Sequence, residues 1–231
     1  IAGLSAWGRT SIDAFVQAGL PARTPRAVIP MGIPDPAVFT RTPVPEIKDT
    51  VNLLYVGRLD PEKGVQTVIE ALHLMPTSAR FHFRVLGSGS MERQLRSMVD
   101  ADLSSKIDFE GQASLVNVRA AMRWAHLVVV PSLVTPRWME QWGRVPVEAI
   151  LSGRPCLVSD SGELPYVSPI PQTVFRVGER NELRDRILQV TTDVQTLQSL
   201  ADQQYLSVQR FQPVHLAEQT VELWRNALGN S

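Results

Sequence analysis

From Val51 onward, short apolar runs recur along the chain, each closing on a glycine or on Pro-Ser, with helix-length amphipathic segments between them. Val51–Val56 ends in Gly57-Arg58, Phe81–Leu86 in Gly87-Ser88-Gly89-Ser90, 107–109 at Gly111, and Leu127–Val130 in Pro131-Ser132; residues 155–158 form a fifth run. The spacing predicts helices over 65–74, 91–99 and 115–124. Runs without polar alternation suit strands buried on both faces, and strand–helix alternation builds an open parallel sheet covered by helices on both faces. The predicted fold class is therefore α/β and Rossmann-like. In such sheets ligands sit beyond the carboxyl ends of the strands, which makes the residues that close each run the candidates for function.

The stretch 139–160 is the densest of these closures. Glu140 precedes Trp142-Gly143, where a helix cannot comfortably continue, and Pro146 suits the first turn of a new helix because its missing N–H would be unpaired there. Glu140 is thus expected on a loop and Glu148 on a helix that stops at Ser152-Gly153. A helix starting after a glycine turn offers free amides and a positive dipole end to a phosphate, and a carboxylate one turn further in can reach a ribose. The plainer alternative for Glu148 is a solvated surface glutamate. Trp138 and Trp142 flank Glu140, either to stack on a sugar or to fill the core.

Arg58 and Lys63 put two cations on one strand-to-helix turn, where both can reach a diphosphate. Asp60 and Glu62 lie between them in sequence and can instead pair with them and leave no phosphate role. Gly87 and Gly89 lack the fuller GxGxxG spacing, so a tight turn without ligand and a turn beneath a base both fit.

Other classes are excluded or disfavoured by composition. Formal net charge is zero across 231 residues and no long basic run exists, which argues against nucleic-acid binding. The single cysteine, Cys156, falls in a predicted buried strand, so no disulfide framework is expected and a reducing, cytoplasmic compartment fits. No apolar run approaches the roughly 18 residues of a membrane span, which leaves peripheral attachment at the inner membrane surface open. His73, His82, His126 and His215 are too scattered for a metal site, so no metal ligands are assigned. Neither a GxxxxGK[ST] phosphate loop nor a GxSxG elbow occurs.

The flanks differ from this rhythm. Residues 1–4 read as a strand, 7–18 as a helix with Ser5 as its cap and Gly19 as its stop, and 27–30 as another strand. Prolines recur over 34–45, the composition of an interdomain linker. Helices are expected over 179–190, 193–209 and 213–228, the last with Leu216, Thr220, Leu223 and Ala227 on one stripe. The chain opens without methionine on what looks like the end of a strand, as a fragment of a larger protein would.

The ordered set Gly57-Arg58-Leu59-Asp60-Pro61-Glu62-Lys63-Gly64, Leu86-Gly87-x-Gly89, Pro131-Ser132, Glu140 with Glu148 eight positions on, and Ser152-Gly153-x-Pro155 resembles the C-terminal half of family 4 glycosyltransferases. That group is retaining and has the two-domain GT-B fold. The resemblance implies that 1–40 is a remnant of the N-terminal acceptor domain and the interdomain connection. It makes 41–210 the donor-binding domain, and 211–231 a helix crossing back to the N-terminal domain, most of which is missing. It also implies a nucleotide-diphosphate sugar as donor, no obligatory metal and no covalently bound cofactor. The acceptor would be a hydroxyl of a glycan, lipid or small molecule. Carried over by position, Arg58 and Lys63 neutralise the diphosphate, Glu140 contacts the donor sugar and Glu148 the ribose. Gly143, Arg144 and Val145 offer backbone amides, Gly87 and Gly111 border the base, and Gly57 belongs to the same donor site.

Two departures stand out. Trp142 and Arg144 are bulkier than the family's usual residues, and Gly162-Glu163-Leu164-Pro165-Tyr166 replaces its paired glycines and Pro-Glu. A non-catalytic nucleotide-sugar binding module and a GT-B phosphorylase or epimerase are the alternative functions. The fragment alone is expected to be inactive.

Overall fold

The computed structural model describes residues 2–31 and 38–229. A six-stranded, wholly parallel sheet organises them, built from β3 (Val51–Val56), β4 (Phe81–Leu86), β5 (Ile107–Gly111), β6 (Leu127–Val130), β7 (Cys156–Ser159) and β8 (Val174–Phe175). Their spatial order is β5-β4-β3-β6-β7-β8. The chain runs outward from β3 to β5, then returns to the other side of β3 with β6. The carboxyl ends of β3 and β6 therefore flank a topological switch point, where the connecting loops diverge and leave a crevice.

The apolar runs lack alternation because both faces are covered. Along β3, Leu53 and Tyr55 enter one core and Leu54 the other; along β6, Leu127 and Val129 separate from Val128 and Val130 in the same way. Helices α2 (Val65–His73) and α7 (Arg180–Val190) cover the first face. Helices α4 (Leu115–Trp124), α5 (Arg144–Leu151) and the short α6 (Leu164–Val167) cover the second. Each fully buried Leu, Val or Phe here stabilises the fold by about 1.5–3 kcal/mol relative to exposure. Cys156 lies in the second core, where burial pushes its thiol up and makes it an inert filler. Helix α3 (Glu92–Ser97), which sends Leu95 into the first core, follows the turn after β4. In that turn Gly87 has φ +147, and a Cβ there would stand 1.7 Å from the Gly57 carbonyl oxygen. Only glycine lets the two strand ends approach so closely.

A second, smaller unit holds β1 (Leu4–Ala6), α1 (Arg9–Gln17) and β2 (Arg26–Val28), with β1 and β2 parallel. Helix α8 (Val194–Val208), capped by Asp193 through its Thr196 amide (2.7 Å), spans the edge of the main sheet. The last helix, α9 (Pro213–Leu228), then returns to the small unit, where Gly3 faces Ala227 and Leu223.

Several local expectations shift. Helix α1 starts at Arg9 after Gly8, with no side-chain cap from its own segment, so Ser5 is not the cap; Ser5 lies within β1 and its backbone is committed to that strand. Of the expected linker, 34–37 lie outside the described residues. Residues 38–45 carry no regular structure yet are fixed: Phe39 and Val44 are buried, and the buried Arg154 guanidinium donates to the carbonyls of Thr42 (3.0 Å) and Pro43 (2.9 Å). Proline content there marked irregular backbone; the apolar Phe39 and Val44 tie that backbone to the core. Strand β8 and helix α6 had no counterpart in the sequence reading, because two and four residues are too few to show a period.

Candidate functional site

The loop from β6 to α5 and the turn from β3 to α2 form the two walls of the crevice. After Gly57 the chain passes through Arg58 and Leu59 into a single 3-10 turn, Pro61–Lys63, that sends Lys63 back over the sheet edge. Its Nζ donates to Glu140 Oε2 at 2.8 Å, and Ser132 Oγ donates to the same oxygen at 3.0 Å. Lys63 also sits 4.6 Å from the centroid of Trp138, a cation–π contact that helps hold the ammonium in place. Ser132 closes β6, so a strand end, a turn and the β6–α5 loop converge on one carboxylate.

Glu140 is held by its backbone as well. Its amide donates to Ser161 Oγ at 3.3 Å and its carbonyl accepts from the Glu163 amide at 2.9 Å. Gly162, with φ +53, permits this; a Cβ there would stand 2.0 Å from the Glu140 carbonyl oxygen. Three residues past Glu140, α5 begins without a capping side chain on Gly143. Gly143, Arg144 and Val145 line the crevice, so the uncapped start of α5, with its positive dipole end, borders it.

The resulting cleft holds about 230 Å³ and is walled by Tyr55, Gly57, Lys63, Ser132, Glu140 and the 142–146 segment. A larger cavity of about 630 Å³ adjoins it across the Lys63–Glu140 pair. One side of that cavity is α1, through Thr10, Ser11 and Ala14, with Trp7 just before the helix, and the other is the 135–142 loop.

The sequence candidates fall into three groups. Gly57, Lys63, Glu140, Gly143, Arg144 and Val145 share the cleft. Gly87 and Gly111 lie along the same sheet edge, joined by a 2.7 Å bond from the Gly87 amide to the Gly111 carbonyl, beside Gly57 but outside the cleft walls. Arg58 and Glu148 are each engaged elsewhere. The Arg58 guanidinium turns outward, 63% exposed, and pairs with Asp60 and with Glu62 (2.8 Å), the alternative its neighbours in sequence allowed. Glu148 sits one turn into α5 with its side chain 8% exposed, and its oxygen accepts from Arg144 at 2.9 Å. Burial pushes its carboxyl above the ordinary carboxylate range, against the pull of the Arg144 pair.

Trp142 resolves toward the core: it packs edge-to-face on Phe211 at 4.6 Å, with one margin left in the cleft. Sequence reasoning missed Tyr55, whose hydroxyl donates to the Arg58 carbonyl at 2.6 Å and so stiffens the turn carrying Lys63. Burial, and then the nearby Glu140 charge, push that phenol up. The participation of α1 was missed too, since nothing in its sequence pattern points to the distant 135–142 loop. Among the described residues no group of three or more His, Cys, Asp or Glu is placed to hold a metal ion. No described helix is long and apolar enough to cross a membrane.

The model of the family described as glycosyl transferases group 1 matches residues 40–207. An uncharacterized glycosyltransferase of Methanocaldococcus jannaschii is 25% identical over 151 residues, covering 64% of this chain and 40% of that protein. The putative colanic acid biosynthesis glycosyltransferase WcaL of Salmonella typhimurium is 30% identical over 158 residues, 67% of this chain and 39% of that protein. Among solved structures, HepE of Anabaena in complex with UDP superimposes with a TM-score of 0.81 at 23% identity, covering 96% of this chain and 63% of that one. Sucrose-phosphate synthase of Thermosynechococcus elongatus gives 0.77 at 22% identity, over 98% of this chain and 58% of that one. The chain thus spans about two fifths of these curated relatives, and its six-stranded parallel sheet with the small two-stranded one is GT-B-like. By its sheet, its switch-point cleft and the family match across 40–207, this chain belongs to the glycosyl transferases group 1 family.

Proposed function

We propose that the chain is the donor-binding half of a retaining glycosyltransferase that moves a sugar from a nucleoside diphosphate to an acceptor hydroxyl. In this reading 41–210 hold the donor. Residues 1–40 belong to an acceptor-side domain that the remainder of the protein completes, and 211–231 return to that domain. The acceptor is a glycan, lipid or small molecule, and the protein works in the cytoplasm, including at the inner membrane surface.

The observation that carries the proposal is the Lys63–Glu140 pair standing opposite the uncapped start of α5 at the sheet's switch point. Departure of a nucleoside diphosphate leaves positive charge on the sugar and adds negative charge to the phosphate. An ammonium held by a carboxylate and an indole needs little reorganisation to meet that charge, and the start of α5 borders the same cleft. Lys63 and the amides of 143–145 would take the diphosphate, with Glu140 on its far side toward the sugar hydroxyls. Glu148 would accept from the ribose, and Gly57, Gly87 and Gly111 would border the nucleoside.

Two arrangements would change on binding. Arg144 occupies Glu148 with a side chain that is mostly in solvent, so a ribose hydroxyl can displace it cheaply. Arg58 would leave Asp60 and Glu62 for the diphosphate, or contribute only as a distant charge. The relatives support a uridine nucleotide as first probe, since HepE has been solved with UDP and with UDP-glucose.

Titration calorimetry of this chain with UDP, GDP and ADP tests the proposal. Binding of at least one, weakened in Lys63→Ala, is the expected result. No binding of any nucleoside diphosphate, or binding indifferent to Lys63, would contradict it.

A further inference from the structure

Glu163 is a buried carboxylate that the donor site does not use. It is 3% exposed and, among the described residues, forms no ion pair with an arginine or lysine. Its oxygen Oε1 instead accepts from the Thr10 amide and the Thr10 hydroxyl, both at 3.0 Å. Thr10 is the second residue of α1, so Glu163 does from 153 residues away what a capping side chain normally does from within the helix's own segment. The positive end of α1 accounts for a carboxylate being tolerated there without a cation.

The other side of this contact is fitted to it. Gly8, at the cap position of α1, supplies no side chain, and a Cβ there would stand 2.4 Å from Glu163 Cγ. Close by, the Arg9 guanidinium lies 4.8 Å from the centroid of Tyr166, which Arg210 also covers at 4.2 Å. The start of α1 is therefore seated on the 161–167 segment at two points.

That same segment grips Glu140. The Glu163 amide donates to the Glu140 carbonyl, and Ser161 Oγ accepts from the Glu140 amide. One residue thus holds α1 through its side chain and the sugar-side carboxylate through its backbone. Between the two lies the cavity of about 630 Å³ whose walls are α1 and the loop carrying Glu140.

We infer that Glu163 is a positioning residue: it sets the separation of α1 from Glu140, and with it the width of the gap through which an acceptor approaches the donor sugar. This rests on the donor-site reading given above. Removing the carboxylate frees the first turn of α1 and slows transfer. It leaves nucleotide binding intact, because Lys63 and the α5 amides do not touch Glu163.

The test uses the full-length protein and whichever UDP-, GDP- or ADP-sugar gives the largest thermal shift. Glu163→Ala is expected to lower kcat at least tenfold, raise the acceptor KM, and speed hydrogen exchange at the Thr10 amide by a similar factor. Affinity for the corresponding nucleoside diphosphate should stay within twofold. Glu163→Gln keeps an acceptor oxygen for Thr10 and should restore most of the rate. Gly8→Ala, which pushes Glu163 off Thr10 from the other side, should reproduce the Glu163→Ala behaviour. Unchanged transfer in Glu163→Ala, an equal loss of nucleotide affinity, or a Gln variant as slow as the Ala one would each overturn the inference and leave the donor-site reading standing. Failure of the wild-type protein to bind any of the nucleotides would remove both.

Discussion

The two units of the molecule finish their surfaces differently. In the main-sheet unit, β3, β6 and β7 are covered on both faces, and the long apolar residues of those strands are almost wholly inside. In the small unit, two parallel strands of three residues carry α1 and α9, and Trp7, Phe15, Trp224 and Leu228 are all exposed, from 48% to 73%. Parallel sheets are normally buried on both faces, and two strands are too few to be stable alone. The difference separates a unit closed by its own two cores from one that supplies a cavity wall held in place by contacts such as Glu163 with Thr10.

Stability measurements sharpen this contrast most strongly. Phe83→Ala, in the first core of the main sheet, should cost about 3–5 kcal/mol by loss of burial and cavity formation. In a chain of this length that is a drop of roughly 6–20 °C in melting temperature. Trp224→Ala on the open face of α9 should stay within about 0.5 kcal/mol, as exposed substitutions usually do. Thermal unfolding in which Trp224→Ala loses as much as Phe83→Ala would break the comparison.

Next in size are the cations at the cleft. Lys63→Ala should weaken nucleoside diphosphate binding by about 1.5–3 kcal/mol, one to two decades in Kd, because the ammonium is fixed inside the cleft. Arg58→Ala should cost less, since its guanidinium is mostly solvated and already engaged by Asp60 and Glu62. Calorimetry that ranks Arg58 above Lys63 would move the phosphate out of the cleft toward the outer turn.

The smaller effect concerns Glu148 and pH. Its folded carboxyl is raised by burial, more than Arg144 lowers it, so its ionised form disfavours the folded state. That cost is present at neutral pH and disappears as pH falls through the raised value and below the ordinary carboxylate range. Glu148→Gln should therefore melt slightly higher than wild type at pH 7, with the gap closing toward pH 4. It should nevertheless bind nucleoside diphosphate more weakly while binding inorganic pyrophosphate equally well. Melting curves that separate as pH falls, or equal losses for both ligands, would count against a buried ribose acceptor.

Much of the main-sheet unit was legible because its signals are local. Five apolar runs closed by Gly57, Gly87, Gly111, Ser132 and the strand beginning at Cys156 gave the parallel sheet, and the glycine before Arg144 gave the start of α5. What was not legible depended on contacts between distant segments. Arg58 and Lys63 look equivalent in sequence, five residues apart on one turn, yet the 3-10 turn between them sends one inward and the other outward. The proline-rich 38–45 stretch reads as loose until the buried Arg154, more than a hundred residues on, is found holding its carbonyls. Glu163 stands out in sequence only as part of a departure from the family's paired glycines, and only the folded chain brings α1 to it.

The most direct test of the central claim is a crystal structure of this chain with a bound nucleoside diphosphate. The account predicts phosphate oxygens within hydrogen-bond distance of Lys63 Nζ and of the amides of 143–145, with the ribose at Glu148 and Arg144 swung away. A nucleotide bound elsewhere, with the Lys63–Glu140 pair untouched and the start of α5 empty, would contradict it.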